Sequence, residues 1–433
     1  QIWDSSIWEQ AKVENKLVLI SIGYSTCHWC HVMEKESFED WETAEIMNQH
    51  LICVKVDREE RPDVDRIYMM FVQASTGSGG WPMSVFLTPE RKPFYGGTYF
   101  PPDNRYGRPG FAHLLHSLAG AWRSDRLRVE ESAAQVLRQL HEHAAQNDSS
   151  VETVGREVHS MVFNYFRRAF DPRLGGFGGA PKFPRPSVLS FILRYYAAER
   201  EPAALEMVLV TLREMAKGGM NDQLGGGFHR YSVDEHWFVP HFEKMLYDQA
   251  QLAWAYLEAF QITHDVQYAD VARAIFQYVG RDLMHPDGGF YSAEDADSVI
   301  DPAHPHDKGE GAFYIFSKEE IDRTLGDSAA FCSRFGVKAA GNVDNDPHGE
   351  FTGKNILYQA GPEDDCASDV AKILELRSTK PRPHLDDKIL TAWNGLMISA
   401  FAKGAQVLGD KRYEQAARRA LDHIRRDLWT NGI

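Results

Sequence analysis

A nearly unbroken apolar run at residues 17–22, Leu-Val-Leu-Ile-Ser-Ile, predicts a buried strand. Before it, residues 3–15 set Trp8 and Ala11 on the inner face of a helix entered through Asp4, Ser5 or Ser6. After it, Cys27-His28-Trp29-Cys30-His31 opens a second helical pattern, and a further helical piece covers 41–49. Residues 51–57 read as another strand, and a helix over 64–74 runs into the glycine-rich TGSGG. Trp81-Pro82 leads into SVFLTPERKPFYGGTYF, two apolar stretches about a proline-marked turn, which predicts a hairpin. Residues 111–145 are helical and end in polar HEHAAQNDSS, so a domain boundary is expected near 145–153, separating 1–145 from 153–433.

The second half carries helical periodicity at 155–169, 187–199, 203–217, 243–261, 266–283, 368–378, 390–408 and 411–428. A Gly-Gly-Phe punctuation recurs at Gly175, Gly226 and Gly288, each time near an aspartate: Asp171, Asp222 and Asp287. A repeat of about 50–60 residues predicts stacked helical hairpins, and glycine loops between them suit an all-α (α/α) toroid. Eight helices supply only four hairpins, which predicts an incomplete toroid and a chain that is a fragment at both ends. EGAFYIFS at 310–317 reads as a short strand, with Phe313 and Phe316 in a core.

A net charge of −15 without a long basic run argues against nucleic acid or an anionic membrane as partner. No apolar stretch reaches the roughly 18 residues of a membrane span. With no signal peptide at its start the chain defaults to cytoplasmic, although Gln1 is not an initiator. Five cysteines are too few for a disulfide scaffold. Cys53 reads as core, Cys332 and Cys366 are isolated, and only Cys27 and Cys30 have a spacing that implies chemistry.

A C-x-x-C pair where a strand meets a helix suits thiol–disulfide exchange, because unpaired helix N–H groups favour a thiolate on the first sulfur. Cys27 is then the nucleophile and Cys30, one turn further inside, the resolving thiol. The element order, with Pro82 directly before the hairpin, is that of the thioredoxin fold, and predicts a cis Trp81-Pro82 bond facing the cysteines. C-x-x-C-H is also the c-type haem signature, but a strand packed before it and a hairpin opposite leave no open haem pocket. A metal reading lacks convergence, since adjacent side chains point apart on a helix and Cys27, His28, Cys30 and His31 cannot all meet at one ion; a two-cysteine partial site and an idle fold remnant complete the alternatives. No cofactor and no metal are expected. The charged turn at 57–63 places Asp57 at a strand end near the thiols.

In the second half, His229, Arg230, Asp234, His241, Glu243 and Asp248 cluster around Tyr231, Trp237 and Phe242. Flat rings beside carboxylates and imidazoles are what a carbohydrate cleft needs. Glu294, Asp295 and Asp297 follow the third glycine punctuation, and Asp387 precedes Trp393 and Asn394. Loops at the same stage of a repeat are expected to converge on one mouth. Two carboxylates there can divide into acid and base, or His229 and His241 can shuttle a proton. Caps and loop braces are the structural alternative for each residue.

The stretches SIGYSTCHWCHVMEKESFED, GGWPMSVFLTPERKPFYGGTYFPP, DQLGGGFHRYSVDEHWFVPHFEKMLYDQA, GGFYSAEDADS and KILTAWNGLMISA resemble the spermatogenesis-associated, thioredoxin-like proteins. That resemblance implies a thioredoxin-like domain joined to a six-hairpin, glycosidase-like toroid, a protein thiol or disulfide partner, and a carbohydrate ligand. Two departures from thioredoxin itself, Ser21 at its buried aspartate and His28-Trp29 for its Gly-Pro, set the chain apart from a general reductase.

Overall fold

Helix α1 (Ser6–Glu14) buries Ile7, Trp8 and Ala11, and Asn15 in a left-handed conformation turns the chain into β1 (Leu17–Gly23). The computed structural model describes residues 3–105, 107, 109–146, 155–346, 349–361 and 366–430. They fall into two compact units, Gln1–Thr153 and Val154–Ile433. The boundary predicted at 145–153 lies mostly outside the described residues.

In the first unit, α2 (His28–Met33) continues through a π-helical turn at Glu34–Phe38, and α3 (Trp41–His50) leads to β2 (Leu51–Asp57). Helix α4 (Pro62–Thr76) precedes the hairpin of β3 (Met83–Leu87) and β4 (Pro93–Gly97), and α5 (Phe111–Ser124) and α6 (Arg126–Gln146) follow. The sheet order is β2-β1-β3-β4, with β1 and β2 parallel and the other pairs antiparallel. Alternation along β1 explains why both faces are covered. Val18, Ile20 and Ile22 pack with α1 and α4, while Leu17 and Leu19 pack with Phe111 and Leu115 of α5. This is the thioredoxin-like arrangement.

The second unit is built on α7 (Arg156–Ala169), α8 (Pro186–Glu199), α9 (Pro202–Lys217), and short strands β5 (Tyr231–Ser232), β6 (Pro240–His241) and β7 (Lys244–Met245). Helices α10 (Leu246–Thr263) and α11 (Val266–Tyr278) come next, the latter closed by a π turn at Val279–Leu283. Strands β8 (Ala293–Glu294), β9 (Asp297–Val299) and β10 (Lys308–Glu310) lead to α12 (Lys318–Leu325), α13 (Ala329–Phe335) and α14 (Ala367–Ser378). The described chain ends with β11 (Leu385–Asp386), α15 (Thr391–Leu408) and α16 (Lys411–His423) with its π turn Ile424–Leu428.

Helix α10 packs on both α8 and α15, while α9, α11 and α16 lie outside them, so the hairpins form two curved layers of a helical toroid. Glu258 on α10 binds Arg194 of α8 at 2.6 Å and Lys403 of α15 at 2.9 Å, tying the three inner helices together. Each glycine loop joins an outer helix to the next inner one. At Gly226 a Cβ would come within 2.5 Å of the Ala274 carbonyl oxygen, and its φ of 74° independently favours glycine.

Three expectations are corrected. The unit is not purely helical, because the loops at one end of the hairpins pair as small sheets. Residues 367–378 belong to no hairpin: α14 packs with α12 over a separate core of Phe316, Ile321, Phe331, Phe335, Leu357 and Ile373. Of residues 310–317 only Glu310, the end of β10, is in a strand; 311–317 form a turn and a single bridge, Phe316 to Asn355, although Phe313 and Phe316 are buried as expected. Among the described residues no helix is long and apolar enough to cross a membrane.

Candidate functional site

Cys27 is the N-cap of α2 and is disulfide-bonded to Cys30. Its Sγ accepts from the Cys30 backbone N–H at 3.2 Å, so the first sulfur does sit on the orphan amides of a helix start. The disulfide packs on the last residue of β1. A Cβ on Gly23 would lie 2.8 Å from Cys30 Sγ, so the glycine makes room for the sulfur. Pairing of Ile22 with Met83 puts Pro82 opposite Gly23, at the same end of the sheet as the disulfide, and Trp81-Pro82 is cis. Trp81 is fixed from three sides: its Nε1–H donates to Asp65 at 2.8 Å, Arg58 lies 4.0 Å over its ring, and Tyr24 meets it edge-on. Trp29, 45% exposed, rests edge-on against Tyr99.

Accessibility differs from the sequence expectation. Cys27 is 3% exposed, and Cys30, expected to lie further inside, is the less buried of the two. Burial pushes the Cys53 thiol up to about 11, in keeping with an inert residue. Asp57 closes β2 and accepts from the Glu59 N–H at 2.7 Å, a turn brace.

In the second unit the predicted loop clusters do meet. Strands β7, β8 and β11 form one sheet in the order β11-β8-β7, which brings the Lys244, Glu294 and Leu385 segments side by side. The side chains nevertheless divide. Lys244 and Glu294 are directly opposite in an antiparallel pair and so share a face, while Glu243 alternates to the other.

On the Glu243 side, His241 is held between two carboxylates: Nδ1 lies 2.7 Å from Glu310 and Nε2 3.1 Å from Glu243. Burial alone would lower its pKa, but Glu243 and Glu310 raise it well above the ordinary histidine value. Arg230 also binds Glu243, at 2.8 Å, and against the push of burial His241 and Arg230 hold that carboxyl below its usual range. Asp248, in the first turn of α10, has an Oδ2 with no hydrogen-bond partner among the described residues. Burial raises its pKa to about 7, Arg230 opposing and Glu243 adding. His229 goes the other way: burial, with Lys244 adding, lowers it to about 3, and its Nδ1 bonds the Phe242 carbonyl oxygen at 2.9 Å. One imidazole is thus kept charged and the other neutral.

Two other predicted ligands, Asn394 and Asp234, hold loops. Asn394 is fully buried, and its amide pairs with both the N–H and the C=O of Phe290, at 2.7 and 2.9 Å. Gln249 grips Phe228 in the same two-point way, at 2.8 and 2.7 Å. The amide in the first turn of α10 and of α15 therefore clamps the preceding Gly-Gly-Phe loop. Asp234 accepts from the N–H groups of His236, Phe238 and Val239, a loop brace. Trp393 is half-buried against Tyr247. Asp387 is exposed; the buried carboxylate of that pair is Asp386. Asp295 and Asp297 are buried, the first accepting from the N–H of the second at 3.1 Å.

Sequence reasoning missed Glu310, Asp222, Lys244 and Arg377. Asp222 binds Lys244 and Arg377 at 2.7 Å each, all three buried. Recurrence of an aspartate before each glycine loop was the available signal; its lysine partner was not legible, although the first repeat has the same pair, Asp171 and Lys182, at 3.3 Å.

Residues 1–141 match the family model Thioredox_DsbH, described as a protein of unknown function, DUF255. Over 99% of its length the chain is 43% identical to an uncharacterized protein of Caenorhabditis elegans, covering 63% of it. It is 41% identical, again over 99% of its length, to spermatogenesis-associated protein 20 of Homo sapiens, covering 58%. The chain thus spans about three fifths of these relatives. A glycoside hydrolase family 76 (mannosidase) from Bacteroides thetaiotaomicron aligns with 57% of this chain and 45% of its own, at 13% identity and a TM-score of 0.34. The chain is thus similar to the spermatogenesis-associated proteins along its length and to the thioredoxin-like DUF255 domain over residues 1–141.

Proposed function

We propose that the first unit exchanges disulfides with protein partners through Cys27 and Cys30. The observation that supports this reading is a disulfide across the first turn of α2, with the cis Pro82 set opposite Gly23. A partner thiolate attacks Cys27 Sγ and Cys30 leaves as a thiolate; a second partner thiolate then displaces Cys27. Two electrons pass from the partner dithiol to the cysteine pair, and the partner leaves oxidised. In reverse, Cys27 attacks a partner disulfide and Cys30 resolves it. Because Cys27 is 3% exposed, docking has to displace the groups that cover it. In the test, the oxidised protein meets a dithiol peptide. Wild type is expected to oxidise it, Cys27→Ser to be inert, and reduced Cys30→Ser to accumulate a mixed disulfide at Cys27 with an activated peptide disulfide. Wild-type exchange no faster than that of the doubly substituted protein would overturn the reading.

A carbohydrate site in the second unit is the second reading, favoured by the rings above the His241 cluster. Phe183, 41% exposed, lies 4.6 Å from Tyr231, which stacks on His241 at 4.8 Å. Such a platform beside Glu243 and Arg230 offers a sugar both C–H contacts and polar partners. A saturating sugar at 100 times Kd adds about 2.7 kcal/mol. One or more members of a mono- and oligosaccharide panel should therefore raise Tm by several degrees, and Tyr231→Ala should remove the shift. A flat response across the panel rejects the site.

A further inference from the structure

On the opposite face of the β7–β8 pair, Lys244 and Glu294 line a cavity of about 240 Å³ enclosed by α11, the segment around Tyr314 and α14. Its charge composition is unusual for a buried space. Lys244 and Arg377 form the floor, with side chains 1% and 4% exposed. Arg281 and Arg382 stand at the rim, 46% and 49% exposed. Against these four cations the lining supplies three carboxylates, Asp222, Asp282 and Glu294.

Each carboxylate is already committed. Asp222 is divided between Lys244 and Arg377. Asp282 is shared by Arg281 and Arg382. Glu294 accepts from Arg382 and from the Tyr278 hydroxyl, both at 2.7 Å. One positive charge is left uncompensated, and Arg377 Nε, on a side chain 4% exposed, has no partner among the described residues. Phe313 and Leu374 add apolar wall. An ion network that merely glued elements together would be filled and balanced; this one surrounds an open space and carries spare donors. Guanidinium groups at two depths match an oxyanion, whose lone pairs accept several N–H bonds at once.

We propose that this cavity binds a small organic oxyanion, a phosphate or a carboxylate carried on a molecule of about monosaccharide size. The anionic group lies between the rim arginines and Arg377, and the carbon skeleton lies against Phe313. The site is separate from the thiol pair and from the His241 cluster, and it does not depend on either reading.

Calorimetric titration tests it with four probes: inorganic phosphate, glucose 6-phosphate, glucuronate and, as the neutral control, glucose. One of the three anions is expected to bind saturably while glucose does not, and which anion binds best distinguishes phosphate from carboxylate. Arg281→Gln with Arg382→Gln should weaken binding at least tenfold. Ser378→Glu removes no existing ion pair and adds a negative charge to the exposed last turn of α14, where Ser378 lines the cavity; it should do the same with Tm unchanged. Absence of saturable binding by all three anions at millimolar concentration overturns the proposal. So does binding that the Ser378→Glu variant leaves intact, or binding of glucose equal to that of its phosphate.

Discussion

Asp222→Asn should cost the protein about 3–5 kcal/mol, read as a fall in Tm of about 10 °C. The substitution is nearly isosteric, so the loop keeps its acceptor: the Leu224 and Gly225 N–H groups still find an oxygen at about the 3.1 and 3.0 Å seen for the carboxylate. What disappears is the only formal negative charge that Lys244 and Arg377 contact directly among the described residues. Burial pushes the Asp222 carboxyl up, but Arg377 and Lys244 override it and hold it well below the ordinary carboxylate range. Its folded pKa is therefore depressed. The stabilisation is present above the unfolded value near 3.9 and is lost as pH falls through the lower folded value. Adding Lys244→Met to Asp222→Asn should recover part of the loss, because one uncompensated buried cation is less costly than two. A double variant that loses the full sum of the single losses would show that the pair is not coupled.

Legibility followed the range of the interactions. Strand β1, the cysteine helix and the hairpin after Pro82 could be read because each is specified within a few residues, by alternation or by a turn. The glycine loops could be read because they repeat. The region between β9 and α14 could not: α12 and α13 have 8 and 7 residues, about two turns, too few for a period of 3.6 to declare itself. Residues 310–317 carry the apolar content of a strand, yet Gly311, at φ 70°, turns the chain, and the rings bury in two different cores.

At the candidate sites the same limit applies. His241 finds one carboxylate two residues away and the other 69 residues away, and only the first is visible in a linear reading. Arg377 and Asp222 are 155 residues apart. A lysine or arginine in sequence reads as surface by default, so a buried cluster of them is found only once the chain is folded. Asn394 shows the converse error: an amide beside a tryptophan suggests a ligand contact, but the Gln249 clamp on Phe228 reveals the same job in the preceding repeat. Comparing positions one repeat apart, rather than residue types, is the reading that separates structural amides from candidate ligands.

Asp248→Asn should stabilise the protein, and the gain should grow with pH. The carboxyl is buried, its Oδ2 has no hydrogen-bond partner among the described residues, and burial lifts its pKa from 3.8 to about 7. A raised carboxylate pKa means that the folded chain retains a proton the unfolded chain has already released. Below about pH 4 both states are protonated and the group costs nothing. Between 3.8 and about 7 stability falls as pH rises, and above 7 the full penalty, on the order of 4 kcal/mol, is in place. An asparagine cannot ionise, so the Tm difference between variant and wild type should be small at pH 4, widen through pH 7 and level off by pH 8. Comparing the two proteins at each pH cancels every other titrating group that they share. A difference that is flat with pH would mean that Asp248 is ionised at its ordinary value in the folded chain. A protonated acid beside the Glu243–His241–Arg230 cluster would then be lost to any sugar chemistry proposed there, while the disulfide exchange at Cys27 would stand untouched.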